Sequence, residues 1–387
     1  MGAAFTFLAI LLLSFTAAFS QIDTVIVQPS VRLPYDTALR VRLLKDLNGF
    51  LAQKEKPNSE NTYILKDNLP ETSLLLDDMK GMEINKKVKD SHFYKPYLTN
   101  VLKIGDSAFT IQFSYMGISD NIPVLRASYR ITAQKKNNQF YFNSPLKHNT
   151  ALWKSKQIGE YTFYYKNTLN NEKAAEFHRT ITSFDKKLKA MILPTDFYCC
   201  DSYEEVLQLS GIDYIADYNG FSRNSSFSAE NNRILMLDGA LTFDFTGFDP
   251  HDLFHSRLRK VLSAGIINRP VDEGCAYVYG GSWGTSWDEI KAKFKEFVAK
   301  NPNADWLEQY IENKNFVEGD KPLAVGYMIN ALLVQKIEKD KGFTAVMELL
   351  RCGKKEKGDE NYFKALEKIT GISKTNFSAE VGKLIKE

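Results

Sequence analysis

Two histidines four residues apart, His251 and His255, are the residues of this 387-residue chain best suited to bind a metal ion. Asp249 is a favourable helix N-cap and Pro250 a favourable first helical residue, so the sequence predicts a helix that begins here. Residues i and i+4 lie on one face of a helix, one turn apart, and two imidazoles spaced in this way can bind the same ion. Such a pair also arises by chance on an ordinary amphipathic helix, in which case the histidines are structural and bind no metal.

Glu273 is the candidate third ligand. Pro270 indicates a second helix start, and that helix would bring Glu273 to the histidine pair. Two imidazoles and one carboxylate leave the fourth position of a tetrahedral zinc ion open for water, which is typical of catalytic rather than structural zinc sites. The sequence therefore predicts a Zn²⁺ site formed by His251, His255 and Glu273.

This pattern resembles that of the gluzincin metallopeptidases, in particular the peptidase MA-like domains related to thermolysin and the zinc aminopeptidases. In that family an H-E-x-x-H helix is followed by a third ligand in a second helix, often within N-E-G. The matching residues here are His251, His255 and the run Asp272, Glu273, Gly274. The resemblance covers about residues 160 to 387 and implies a zinc peptidase in which the residue after the first histidine is the general base.

The chain departs from the family at two catalytic positions. The predicted general base is Asp252, where the family has Glu, and the missing methylene withdraws the carboxylate by roughly 1.5 Å. A displacement of about 1 Å can cost on the order of a hundredfold in rate. Relatives also carry a Tyr that stabilises the oxyanion, and Leu323 stands in its place. Leu cannot donate a hydrogen bond, so Tyr277, Tyr279 or Tyr327 would have to substitute.

The N-terminus predicts export. Residues 5 to 19 form an apolar run of signal-peptide length, and the small residues Ala18 and Ser20 permit cleavage before Gln21. The run is too short for a confident membrane span, so we expect no stable span after the signal is removed. The expected location is secreted or periplasmic.

Composition excludes some classes of partner. The 50 Lys and Arg residues nearly balance the 47 Asp and Glu residues, for a net charge of +3, and no basic patch indicates a nucleic-acid partner. The resemblance implies a peptide or protein substrate instead. Four cysteines are too few for a disulfide-dense scaffold; buried thiols and some pairing in an exported protein are both open.

The expected organisation is a signal peptide over residues 1–20, an N-terminal domain over 21–158 and a peptidase MA-like domain over 159–387. The fold class is α+β. The N-terminal domain, whose role the sequence does not indicate, combines a helix after Pro34 with an antiparallel sheet that begins near Tyr97. The second domain is expected to have a small mixed sheet, followed by a mostly helical C-terminal half.

Residues 231 to 237 predict a strand just before the metal helix. In the gluzincins an exposed sheet edge at this point pairs with an extended substrate, so the resemblance implies a substrate-binding strand here. The alternative is an inner strand of the sheet.

Two functions follow from these observations. The first is an exported zinc metallopeptidase that hydrolyses peptide bonds, with Asp252 in place of the usual Glu base. The second is a catalytically inactive peptidase-like module with a binding or structural role in the cell envelope.

Overall fold

A computed structural model describes residues 24–220 and 224–386. The predicted signal peptide, residues 1–20, lies outside the described residues. No helix among the described residues is long and apolar enough to cross a membrane.

Thirteen strands are present in the described residues. In chain order they are β1 Ile26–Val27, β2 Lys95–Gly105, β3 Ala108–Ser119, β4 Ile122–Lys136, β5 Gln139–Asn143, β6 Lys154–Ile158, β7 Tyr161–Tyr165, β8 Thr195–Cys199, β9 Ile212–Ile215, β10 Ser225–Glu230, β11 Arg233–Asp238, β12 Asn315–Val317 and β13 Leu323–Ala324.

Thirteen α-helices accompany them in the same part of the chain. They are α1 Thr37–Ala52, α2 Leu69–Met79, α3 Leu146–Asn149, α4 Asn171–Leu188, α5 Tyr203–Ser210, α6 Pro250–Val261, α7 Arg269–Gly280, α8 Trp287–Lys300, α9 Trp306–Glu312, α10 Val325–Lys341, α11 Phe343–Leu350, α12 Glu360–Thr370 and α13 Phe377–Lys386. The predicted fold class is confirmed, because an N-terminal helix and sheet precede a mixed sheet and a helical C-terminal half.

The chain forms two compact units. Among the described residues, the first contains those up to Asn149 together with Leu207–Asn219, and the second contains Thr150–Val206 and those from Gly220 onward. Strand β6, which we placed in the N-terminal domain, therefore belongs to the second unit, where it pairs with β7. The roles assigned to the two predicted domains stay predictions.

The first unit is built on a six-stranded sheet in the order β1-β2-β3-β4-β5, with β9 also paired to β4. Helix α1 begins where the sequence indicated, because the Asp36 side chain accepts a hydrogen bond from the Leu39 amide. The ring of Phe50 lies 5.3 Å from that of Phe142 on β5. The segment Leu207–Asn219, which contains β9, is held to β4 by an ion pair in which both terminal nitrogens of Arg126 donate to the Asp217 carboxylate.

The second unit contains a five-stranded mixed sheet in the order β10-β11-β8-β7-β6. Strand β11 pairs antiparallel with β10 and parallel with β8, so both of its edges are used. The expectation of an exposed, substrate-binding strand at residues 231–237 is therefore wrong, and the alternative of an inner strand is correct. An inner strand has no free backbone groups to offer a peptide. The edges of this sheet are β10 and β6.

Helices α6, α7 and α10 form the centre of the helical half. Gly274 on α7 packs so closely against α10 that a Cβ atom there would lie 2.7 Å from the backbone carbon of Asn330. Asn330 is completely buried, and its amide donates to the Gly326 carbonyl while its oxygen accepts from the Tyr362 hydroxyl. Helix α7 is therefore held at a defined distance from a rigid neighbour, and that fixes the position of Glu273.

Helix α6 is held on its other side by a buried ion pair. The Arg257 guanidinium donates through Nε and a terminal nitrogen to the two carboxylate oxygens of Asp185 on α4, at 2.6 and 2.9 Å. The rings of Phe184 and Phe254 meet edge to face beside this pair, with centroids 5.4 Å apart.

Candidate metal centre

Helix α6 presents both histidines as its sequence predicted. The Asp249 side chain accepts a hydrogen bond of 2.8 Å from the His251 amide, and Pro250 occupies the first turn. One turn separates His251 from His255, and their ring centroids lie 4.7 Å apart. His255 is buried and His251 is partly buried.

Helix α7 carries Glu273, the predicted third ligand, and begins beside Pro270, which confirms the second predicted helix start. The end of α7 approaches the start of α6 closely, since a Cβ atom on Gly280 would lie 2.5 Å from the His251 amide nitrogen. Any larger residue at position 280 would push the two helices apart.

Three candidate ligand atoms converge between these helices. The Nε2 atoms of His251 and His255 are 3.1 Å apart, and they lie 3.3 and 3.7 Å from Glu273 Oε2. In a tetrahedral zinc site with bonds of about 2.0–2.1 Å, neighbouring ligand atoms are about 3.3–3.4 Å apart. The observed spacings bracket that value, and the three side chains form a group close enough to hold a metal ion.

The other nitrogen of each imidazole is anchored. His251 Nδ1 lies 2.7 Å from the Gly281 carbonyl oxygen, and His255 Nδ1 lies 2.7 Å from an Asp272 carboxylate oxygen. A carbonyl or carboxylate oxygen only accepts, so each Nδ1 carries the hydrogen. The neutral ring then has its lone pair on Nε2, directed at the other two ligand atoms. This is the arrangement that surrounding groups impose on metal-binding histidines.

The pKa values reflect this concentration of acceptors. Burial lowers the pKa of His255, but hydrogen bonds to Asp272 and Glu273 and their negative charges outweigh it and raise the pKa to about 9. For Glu273 the directions are reversed: burial raises the pKa, but hydrogen bonds and charges from the two histidines and Arg269 outweigh burial and hold the pKa well below its usual range. A positive charge among the two imidazoles and the carboxylate, either a proton shared with His255 or a bound metal ion, therefore stabilises the group.

Arg269 and Asp272 belong to the site, although sequence reasoning did not assign them a role. The Arg269 guanidinium forms an ion pair with Oε1 of Glu273, one turn along the same helix, which leaves Oε2 to face the histidines. An i, i+4 Arg–Glu pair is visible in the sequence and could have been found. The contact from Asp272 to His255 spans two helices, and no local pattern reveals it.

A cavity of about 360 Å³ opens onto the three ligands. Asp252 lines it and is exposed. Tyr277 and Tyr327 also line it, whereas the hydroxyl of Tyr279 is 2.5 Å from Glu338 and points elsewhere. Leu323 is buried. Of the three tyrosines considered as substitutes at this position, two therefore reach the cavity.

The Tyr277 hydroxyl oxygen accepts a hydrogen bond of 3.2 Å from the Ala324 amide. This contact fixes the ring beside His251, at a centroid distance of 6.0 Å. The hydroxyl hydrogen is left to donate to a second partner.

The predicted ligands His251, His255 and Glu273 are thus brought together, and Asp252 lies beside them. No protein family, curated protein or solved structure matches this chain significantly. The metal assignment therefore depends on the geometry of the side chains alone.

Proposed function

We propose that this chain is an exported, zinc-dependent metallopeptidase-like hydrolase that cleaves peptide bonds. The observation that carries the proposal is the convergence of His251 Nε2, His255 Nε2 and Glu273 Oε2 at the base of a cavity. Two nitrogen donors and one carboxylate oxygen suit zinc, and three protein ligands are the number found in catalytic zinc sites. When bound, zinc would polarise a scissile carbonyl and lower the pKa of water toward about 7.

The chain's own residues have separate roles in this proposal. His251, His255 and Glu273 would hold the ion, while Asp272 and the Gly281 carbonyl keep each imidazole hydrogen on Nδ1. Asp252 takes a proton from the attacking water and later delivers it to the leaving amine. Its place directly after His251, on the exposed side of the helix and in the cavity wall, supports that role.

The oxyanion requires a hydrogen-bond donor that Leu323 cannot provide. We assign that role to Tyr277 or Tyr327, because both line the cavity. Burial and the charge of nearby Glu273 raise the pKa of Tyr327. A hydroxyl that keeps its proton is a donor, which is what a developing negative charge requires.

The direct test is to measure the zinc content of the purified mature protein by mass spectrometry and then to screen the protein for cleavage of a peptide library. We expect about one zinc per chain, lost in the double variant His251→Ala, His255→Ala. The matched control is His148→Ala, which removes an exposed histidine from the first unit and should leave the zinc content unchanged. Protein that holds no metal, even after zinc is added back, would exclude the enzyme.

A binding module is the second candidate, and Asp252 is the observation that favours it. Its carboxylate is one methylene shorter than the family's base, which can cost about a hundredfold in rate. A protein that binds zinc but turns over no peptide would support this candidate.

The substitution Asp252→Glu separates the two functions. It should raise peptidase activity by on the order of a hundredfold, with zinc content unchanged because residue 252 is not a ligand. Asp252→Asn is the matched control and should abolish turnover. Equal activity of all three proteins would exclude residue 252 as the base.

A further inference from the structure

A second cavity, of about 540 Å³, lies between helices α7, α8, α10 and α13 and shares no lining residue with the metal cavity. Its volume falls within the range of about 300–1,000 Å³ that is typical of small-molecule sites. Nothing in the proposed peptidase activity uses it.

The floor of this cavity is apolar. Phe294 and Met328 are almost completely buried core residues, and Leu332 is partly buried. Val278, Leu384 and Ile385 complete the apolar wall. A surface of this kind stabilises an alkyl chain by removing it from water, and it has nothing to offer a small hydrophilic anion.

The rim is positively charged. Lys291 and Lys295 line the cavity from α8, and Lys336 and Lys339 line it from α10. Lys295 and Lys339 are exposed, and no carboxylate of the described residues pairs with either. Lys336 is already engaged, in an ion pair with Asp340 at 2.8 Å. Lys291 pairs with the exposed Asp288 at 2.8 Å, and a surface pair of this kind contributes only about 0–1 kcal/mol. Such a lysine can turn to a ligand at little cost.

The one carboxylate in the lining, Glu338, does not cancel this charge. It already accepts a hydrogen bond from the Tyr279 hydroxyl and forms an ion pair with Lys187. The rim therefore presents net positive charge above an apolar floor.

We propose that this cavity binds an anionic amphiphile: a single alkyl chain that lies on the apolar floor, with a carboxylate head held by the lysines. Lys291, Lys295 and Lys339 select against a neutral hydrocarbon, and the floor selects against an anion without a tail. The proposal does not depend on the peptidase.

Calorimetric titration of the full mature chain with three probes tests it. Decanoate has both head and tail, butanoate has the head with a short tail, and 1-decanol has the tail without charge. We expect one decanoate per chain, bound at least about tenfold more tightly than either of the others. Equal affinities for the three probes, or no decanoate binding in the millimolar range, would overturn the proposal.

Charge reversal on the rim supplies the matched comparison. The double variant Lys295→Glu, Lys339→Glu should weaken decanoate binding by about tenfold and leave 1-decanol unaffected. Lys293→Glu, Lys341→Glu changes the same charge on the same two helices at exposed positions outside the cavity, and it should bind decanoate as the unmodified chain does. Equal loss in both double variants would mean that no specific head-group site exists.

Occupation of the cavity by a second copy of the chain is the competing outcome. Sedimentation velocity would then detect a dimer that decanoate dissociates, and the amphiphile would be an artificial competitor. A monomer with and without decanoate is the expected result. Zinc content and any peptidase activity should be the same in both double variants, so that failure of this proposal remains distinct from failure of the metal site.

Discussion

Two buried polar clusters lie along helix α6, and they differ in how their donors and acceptors match. The Asp185–Arg257 pair is self-sufficient, because two guanidinium nitrogens donate to two carboxylate oxygens. The predicted metal centre, two residues away, directs His251 Nε2, His255 Nε2 and Glu273 Oε2 at one another, and with both imidazoles neutral none of these three atoms donates to another. The first cluster needs nothing further to be stable, whereas the second needs a shared proton or a metal ion among its three facing atoms.

Burial and hydrogen bonding therefore do not by themselves mark a functional site. A structural cluster closes on itself. In a binding cluster, the outward-facing atoms of each side chain are paired, here with Gly281, Asp272 and Arg269. The inward-facing atoms remain available to a ligand. Each of the following changes tests one side of that distinction.

The largest expected effect is on the self-sufficient pair. Asp185→Ala leaves a buried guanidinium without its partner and should lower the free energy of unfolding by about 3–5 kcal/mol, measured by denaturant titration. The loss should be the same with zinc and with a chelator, because the pair contacts no ligand. As a control, Lys383→Ala breaks the exposed pair with Glu380 and should cost at most about 1 kcal/mol. If Asp185→Ala lowered the free energy of unfolding with zinc present but not with chelator, the two clusters would not be independent.

The next effect concerns the metal itself. A ligand that binds only the folded chain stabilises it by about 2.7 kcal/mol at a hundred times its Kd. The unmodified protein should therefore melt at a lower temperature after zinc is removed. His255→Ala should melt at one temperature whether zinc or chelator is present, in a differential scanning experiment. If the melting temperature of the unmodified protein is also the same with zinc and with chelator, the histidines are structural and the two clusters do not differ in their need for a ligand.

A smaller effect is expected from Asp272→Asn. The substitution keeps the size of the side chain but weakens its hold on His255 Nδ1–H, and such changes beside a metal ligand typically cost about 10–100-fold in affinity. Competition with a chelating dye measures this, and the protein should remain folded. The exposed Asp288→Asn is the matched control, with no effect expected. Unchanged zinc affinity in Asp272→Asn would mean that this contact does not orient the ligand.

The local parts of this site could be predicted from the sequence. The cap at Asp249, the first-turn prolines and the i, i+4 spacing of the histidines depend on neighbours within one helical turn, so the helices and the faces they present could be predicted. The alternation of helix-like and strand-like runs was likewise enough for the α+β class.

Which atoms of different helices come into contact depends on how those helices pack. The 2.7 Å contact from Asp272 to His255 and the approach of Gly280 to His251 join residues of different helices, and no local pattern encodes that distance. The same holds for residues 231–237, whose inner position depends on pairing with both β10 and β8. A strand's own residues favour an extended backbone, but which partners cover its edges is set by the packing of the whole unit.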